Sequence, residues 1–247
     1  MGIRSRKRNR TPAVDPHTSS PSHRRRRRLD SGRKDVFQDL PRSADDRDWA
    51  ALPRDVLLVI LSLLPQTEVL RGAGLACAPW RLVALDEPLL WRHIDLAGGN
   101  KKHVEGWQAM AFTAVRLSAG RCESYRGRVD RDVLIFLAHS APSLRSLHVT
   151  CRFDMTCSEK FIAVVAKKIP MLEKLVLSNG LITLASLVVL ADHCPRLQSI
   201  DAGGCRTTRA LRSTEQSLRA SLKSRIKDLR LPHPQFIGYR IVLHQLE

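Results

Sequence analysis

Aromatic residues are scarce in this chain, only 5% of its 247 residues. With 43% hydrophobic residues overall, the interior must be built mainly from Leu, Val, Ile and Ala, which suits helices and short repeats. No long apolar run is present either. The longest, "VLLVILSLL" from Val56 to Leu64, falls well short of the roughly 20 residues a membrane span needs, so no membrane is expected as a partner. The six cysteines hold no Cys-x-x-Cys pair, and the start of the chain is polar and basic with no leader-like apolar core. A reduced, intracellular chain is the expectation. Enzyme signatures are missing as well. The nine histidines, among them His103, His139 and His193, form no His-Glu-x-x-His frame, and there is no Gly-x-Ser-x-Gly elbow or phosphate-binding glycine loop. No catalytic residue, no metal site and no cofactor is expected, and the chain reads as a non-enzyme.

Positive charge is abundant, with a formal net +17, and it is unevenly placed. Residues 1–47 carry fourteen Lys/Arg against six Asp/Glu, whereas residues 48–100 carry four against six. Residues 101–195 carry thirteen against eight, and 196–230 nine against three. The stretch 1–47 is rich in Arg, Ser, Pro and Asp and has almost no apolar periodicity, so it reads as a disordered basic arm. Its clusters "RSRKRNR" and "HRRRRRLDSGRK" are similar to nuclear-localisation signals, with Arg24, Arg25, Arg26, Arg27 and Arg28 at the centre. The expected location is therefore the nucleus and/or the cytoplasm. A nucleic-acid partner is disfavoured, because no aromatic residue lies between the clusters to stack on bases.

Residues 48–90 form an apolar module. Pro53 can open a helix. Val56, Leu57, Ile60, Leu61 and Leu64 follow its apolar stripe, and Pro65 ends it. Thr67 is placed as the N-cap of a second helix continuing through Val69, Leu70, Ala73, Ala76 and Cys77, which the glycines of "RGAGLACAPW" should leave loosely packed. A third helix starts at Pro79 and carries Trp80, Leu82 and Val83. Leu58, Val59 and Leu63 add apolar surface beyond the first stripe. Three short helices cannot bury so much alone. The surplus is either an interface or a face packed on the rest of the chain.

From residue 91 an internal repeat is present. "LRSLHV" (Leu144–Val149), "LEKLVL" (Leu172–Leu177) and "LQSIDA" (Leu197–Ala202) share an L-x-x-L-x-L frame, each preceded by a proline and a helical stripe. "WRHIDL" (Trp91–Leu96) and "IKDLRL" (Ile226–Leu231) fit the same frame. Between the first two, a helix fits "WQAMAFTAVRL", but no clean strand frame follows "SAGRCESY". These frames are those of leucine-rich repeats, whose units stack into a solenoid because no unit covers its own apolar face. The tail 232–247 matches no closing repeat and reads as irregular.

The segment "LPRDVLLVILSLLPQTEVLRGAGLACAPWRLVALDEPLLWRHIDL" resembles an F-box. With repeats following at once, residues 48–231 resemble the F-box/leucine-rich-repeat proteins, especially a plant Skp-interacting group. The implied fold is an α/β repeat: a three-helix F-box at 48–90, then a short leucine-rich-repeat solenoid with a parallel sheet at 91–231. The resemblance implies the substrate-recognition subunit of a Skp–cullin–F-box ubiquitin ligase. Leu52, Pro53, Leu57, Ile60, Leu61, Leu64, Leu75, Cys77 and Trp80 would bind or support the Skp-type adaptor, and through it cullin and RING subunits. The repeats would hold an unknown protein substrate through outward residues Arg145, His148, Glu173, Lys174, Gln198 and Asp201. Two alternatives stay open: a nuclear nucleic-acid-binding protein using the Arg-rich arm, and a non-catalytic leucine-rich-repeat scaffold.

Overall fold

A computed structural model describes residues 48–98, 106–151, 159–207 and 211–234. The basic arm with Arg24–Arg28, and residues 235–247 of the tail, lie outside these described residues.

Prolines punctuate the first module. Helix α1 (Arg54–Leu63) begins directly after Pro53. It stops because Leu64, preceding Pro65, is extended at φ −86° and ψ 147°. Helix α2 (Gln66–Arg71) follows at once. Thr67 does not cap it. Pro65 sets the start two residues earlier, and Thr67 is buried inside the helix. Nor does α2 reach Cys77. It ends at Gly72, and Ala73–Leu75 forms a separate 3-10 turn. The glycines there are not loosely packed. A Cβ on Gly74 would stand 2.6 Å from the Val69 carbonyl oxygen and 3.3 Å from the Ala84 Cβ, so only glycine permits this approach. Helix α3 (Ala78–Asp86) carries Pro79 in its first turn. The 3-10 turn Pro88–Trp91 then leads into the repeats.

Six parallel strands stack in chain order: β1 (His93–Asp95), β2 (Ser124–Val129), β3 (Ser146–Cys151), β4 (Lys174–Leu181), β5 (Ser199–Thr207) and β6 (Asp228–Arg230). Helices alternate with them: α4 (Trp107–Leu117), α5 (Arg131–Ser140), α6 (Glu159–Lys168), α7 (Leu184–His193) and α8 (Arg212–Arg225). Each unit is a strand and a helix, and each leans on its neighbours to close its apolar side. Trp91, Cys122, Leu144, Leu172, Leu197 and Ile226 stand at the first frame position of successive repeats, and all are 0–5% exposed. Ile94, Tyr125, Leu147, Leu175, Ile200 and Leu229 form the second rung in register.

The strand missing from the sequence reading is β2. Its frame is Cys122-x-x-Tyr125-x-Gly127, so two of the three leucine positions are filled by unusual residues and one by no side chain. The ring of Tyr125 supplies the volume that Gly127 lacks. A Cβ on Gly127 would lie 3.1 Å from the Tyr125 hydroxyl and 3.3 Å from its Cζ. That hydroxyl donates to the Arg128 carbonyl at 3.0 Å.

Backbone hydrogen bonds form a staircase at the strand starts. The Arg92 carbonyl accepts from Glu123 N–H at 2.8 Å, Glu123 from Arg145 at 2.8 Å, Arg145 from Glu173 at 2.8 Å, Glu173 from Gln198 at 2.9 Å, and Gln198 from Lys227 at 3.0 Å. The tail is not irregular at its start. His233–Pro234 form a two-residue strand, β7, beside Arg206 and Thr207 of β5. Among the described residues no single helix is long and apolar enough to cross a membrane.

The first module is fastened to the free edge of β1 by one side chain. Gln66 Nε2 donates to the carbonyls of Leu90 (2.9 Å) and His93 (2.8 Å), and its Oε1 accepts from Asp95 N–H at 2.5 Å. An amide presents a donor and an acceptor as a peptide unit does, so Gln66 satisfies an edge that would otherwise be bare. Gln66→Ala is expected to lower unfolding free energy by about 1–3 kcal/mol, because three backbone groups lose their partner. Urea denaturation measures this, and a variant indistinguishable from the parent would contradict the role.

Candidate functional site

Helix α1 is apolar on both sides. Leu57 and Leu61, four residues apart, face the module's own core at 1% and 0% exposure. Val56, Val59 and Leu63 face outward, the latter two at 58% and 80%. A spacing of three and four residues places these three on one helical face. Leu57 and Leu61 are therefore core residues of the module, placed to support its surface. Periodicity identifies a stripe, but where a helix is apolar all round it does not say which side the fold covers.

The other expected docking residues fall into two groups. Pro53 is exposed, Leu75 is 62% exposed, and Leu52 and Ile60 are half-buried. Leu64, Cys77 and Trp80 are also half-buried, and Trp80 has an internal duty. Cys77 stands at the N-cap position of α3 without a side-chain capping bond. Trp80 Nε1 donates to the Trp49 carbonyl at 2.9 Å, tying α3 to the 3-10 turn Trp49–Ala51. Leu82, Leu85 and Leu89 are exposed apolar residues that sequence reasoning left out of the docking set. A salt bridge of 2.7 Å between Arg54 and Glu87 joins the start of α1 to the end of α3. Between α1 and β1 lies an open cleft of about 530 Å³, whose apolar lining includes Leu61, Leu64, Pro65, Leu89 and Leu90. This much exposed aliphatic surface on so small a module is unusual for a free surface.

The second surface is the outward face of the sheet. Arg145, Glu173 and Gln198 stand at the strand starts, Lys174 at the first outward position of β4, and His148 and Asp201 at the second outward positions of β3 and β5. The fold brings all six onto neighbouring strands. Arg145 and Glu173 pair with each other at 2.9 Å, and Arg92 pairs with Glu123 at 2.8 Å. The Arg92 hydrogen bond holds the Glu123 carboxyl below the usual carboxylate range. Burial, then the Arg126 guanidinium, holds the His148 imidazole below its ordinary value, so it is neutral near pH 7.

Among the described residues no cluster of chemistry-bearing side chains competes with these surfaces. Among the described residues no group of His, Cys, Asp and Glu is placed to hold a metal ion. Burial pushes the thiols of Cys122 and Cys151 up to about 12, and those of Cys194 and Cys205 up to about 11, far from the range of a nucleophile.

Residues 49–97 match the F-box-like family model. Putative F-box/LRR-repeat protein 23 of Arabidopsis thaliana is 31% identical over 160 residues, which cover 62% of this chain and 34% of that protein. Putative F-box/LRR-repeat protein 22 is 31% identical over 163 residues, covering 64% and 52%. Putative F-box/LRR-repeat protein 9 is 23% identical over 235 residues, covering 72% and 96%. The chain thus spans about a third and about a half of the length of the first two relatives.

Proposed function

Because the chain is an F-box/leucine-rich-repeat protein, we propose that it serves as the substrate-recognition subunit of a Skp–cullin–F-box ubiquitin ligase. In this reading the F-box docks on a Skp-type adaptor, and the adaptor connects it to cullin and RING subunits. The repeats hold a protein substrate on the outward face of the sheet. The chain needs no catalytic group of its own. It acts by raising the effective concentration of the substrate near the charged ubiquitin enzyme. The observation that carries the reading is the exposed apolar face of α1, Val56, Val59 and Leu63, within residues that match the F-box-like family. The test is capture of a purified Skp-type adaptor by the full chain. Absence of capture would end the proposal.

We further propose the nucleus and/or the cytoplasm as its location, with Arg24–Arg28 as an import signal. Alanine at all five positions is expected to move a fluorescent fusion out of the nucleus. An unchanged distribution would remove that role from the cluster.

A further inference from the structure

Strands β1 to β6 run parallel in chain order, so every junction from a helix into the next strand lies on one rim of the solenoid. Cations recur along this rim. Arg116 and Arg121 stand at the α4–β2 junction, and Lys167 and Lys168 at the α6–β4 junction. Arg196 stands at the α7–β5 junction, and Lys223 and Lys227 at the α8–β6 junction. All are exposed, and among the described residues none has a carboxylate within salt-bridge distance. The acids of the rim are already engaged. Glu123 pairs with Arg92, Glu173 with Arg145 and Asp192 with Arg225, while Asp228 accepts from the Ser199 hydroxyl at 3.0 Å. The α5–β3 junction has no spare cation, because its Arg145 is the partner of Glu173.

The opposite rim, where strands give way to helices, is mixed in sign among the described residues. Asp130 and Asp132 flank Arg131, Glu159 precedes Lys160, and Glu215 follows Arg212. The excess charge is thus confined to one side. Helix dipoles account for part of it, since Arg116, Lys167, Lys168 and Lys223 lie in last turns. Arg121, Arg196 and Lys227 stand beyond the helix ends and have no such reason. A row of spare like charges repels itself in the free chain, and a polyanion relieves that repulsion.

We propose that this rim binds the phosphate backbone of a nucleic-acid duplex by charge, without reading its sequence. The composition of the rim selects this polyanion. No Phe, Trp or Tyr lies in the last helical turns or junctions of the rim, so unpaired bases have nothing to stack on. None of the exposed large apolar residues lies there either, so a bilayer surface has no anchor to take up. A duplex needs neither, because its phosphates face outward in regular rows. Neighbouring helices of the stack stand about 8–10 Å apart. One duplex strand carries a phosphate about every 3.4 Å of axis, so each unit faces roughly two to three of them. Long Lys and Arg stems span the remaining mismatch. The rim thus adds a second partner class to the ligase reading and does not depend on it.

The test is fluorescence anisotropy of the full chain with a labelled mixed-sequence duplex of about 20 base pairs, titrated across a range of salt concentrations. Lys167→Gln, Lys168→Gln and Arg196→Gln together are expected to weaken binding at least about tenfold near 0.15 M salt. They should also flatten the plot of log affinity against log salt by about 2.7, at roughly 0.9 per lost phosphate contact. Lys160→Gln, Arg206→Gln and Arg212→Gln remove the same charge from exposed positions off this rim and should leave both nearly unchanged. Lys167→Arg, Lys168→Arg and Arg196→Lys, which keep the charge, should bind as the parent does. Lys168→Gln alone, flattening the slope by about 0.9, gives the readout if the triple variant melts early. The proposal is overturned if the duplex is not bound, or if the rim substitutions leave the slope unchanged, which would assign binding to residues 1–47. Tighter binding to a single strand of the same length, or to vesicles containing phosphatidylserine, overturns it as well. Adaptor capture should be equal for the rim variants and the parent, so failure of this proposal and failure of the ligase reading give different results.

Discussion

Aspartate at both Val59 and Leu63 is expected to weaken capture of a Skp-type adaptor by at least about a hundredfold while leaving thermal melting nearly unchanged. Both side chains already face solvent, at 58% and 80%, so the free chain loses little when they become polar. Docking would bury them. Burying a Val or Leu contributes about 1.5–3 kcal/mol. An aspartate forced into the same apolar contact adds a desolvation cost. Two such changes exceed the roughly 2.7 kcal/mol that corresponds to a hundredfold. The contrast with Leu57→Asp is the informative part. Leu57 is 1% exposed in the module's core, so that change should destroy adaptor capture only by unfolding the module. Circular dichroism melting alongside adaptor titration separates the two. If the outward pair can be charged without loss of affinity, the exposed face of α1 is not the docking surface.

Trp91→Ala is expected to destabilise the protein by about 3–5 kcal/mol, the largest single effect on the fold. Trp91 is fully buried and belongs to two structures at once. It ends the 3-10 turn that closes the F-box, and it opens the first repeat frame ahead of Ile94 in β1. Its Nε1 donates to the Ala84 carbonyl of α3 at 2.9 Å. Removal leaves a cavity the size of an indole and a buried carbonyl without that donor. Trp91→Phe should cost less, since a ring remains and chiefly the hydrogen bond is lost. Urea unfolding of the two variants measures the difference. A cost below about 1 kcal/mol for Trp91→Ala would show that the F-box and the repeats do not depend on this residue for their cohesion.

Much of the sheet was legible because leucine spacing and burial coincide. The frames at Leu144, Leu172 and Leu197 lead to strands β3, β4 and β5, and the shorter frames at Trp91 and Ile226 lead to β1 and β6. Strand β2 escaped notice because its frame conserves volume and not residue type: Tyr125 fills the space that Gly127 leaves. The F-box helices were legible through their prolines, and Val59 and Leu63 as surplus apolar surface, but which side of α1 the fold covers was not. Leu57 and Val59 are both strongly apolar, and only the position of α3 and the Pro88–Trp91 turn decides that one is inside. Gln66 was missed for another reason. A glutamine after proline reads as an ordinary first-turn residue, and its three backbone partners lie 24 to 29 residues away in sequence.

The Gln66 clamp gives the solenoid a direction of growth. One amide stands in for the strand that would otherwise precede β1, so a further unit could not be added there without displacing the F-box. The opposite edge, β6, consists of three residues with charges at Asp228 and Arg230, and β7 pairs with β5 beyond it. Among the described residues a further strand can therefore pair only on the β6 side, where it would leave the geometry between the F-box and the first strand unchanged.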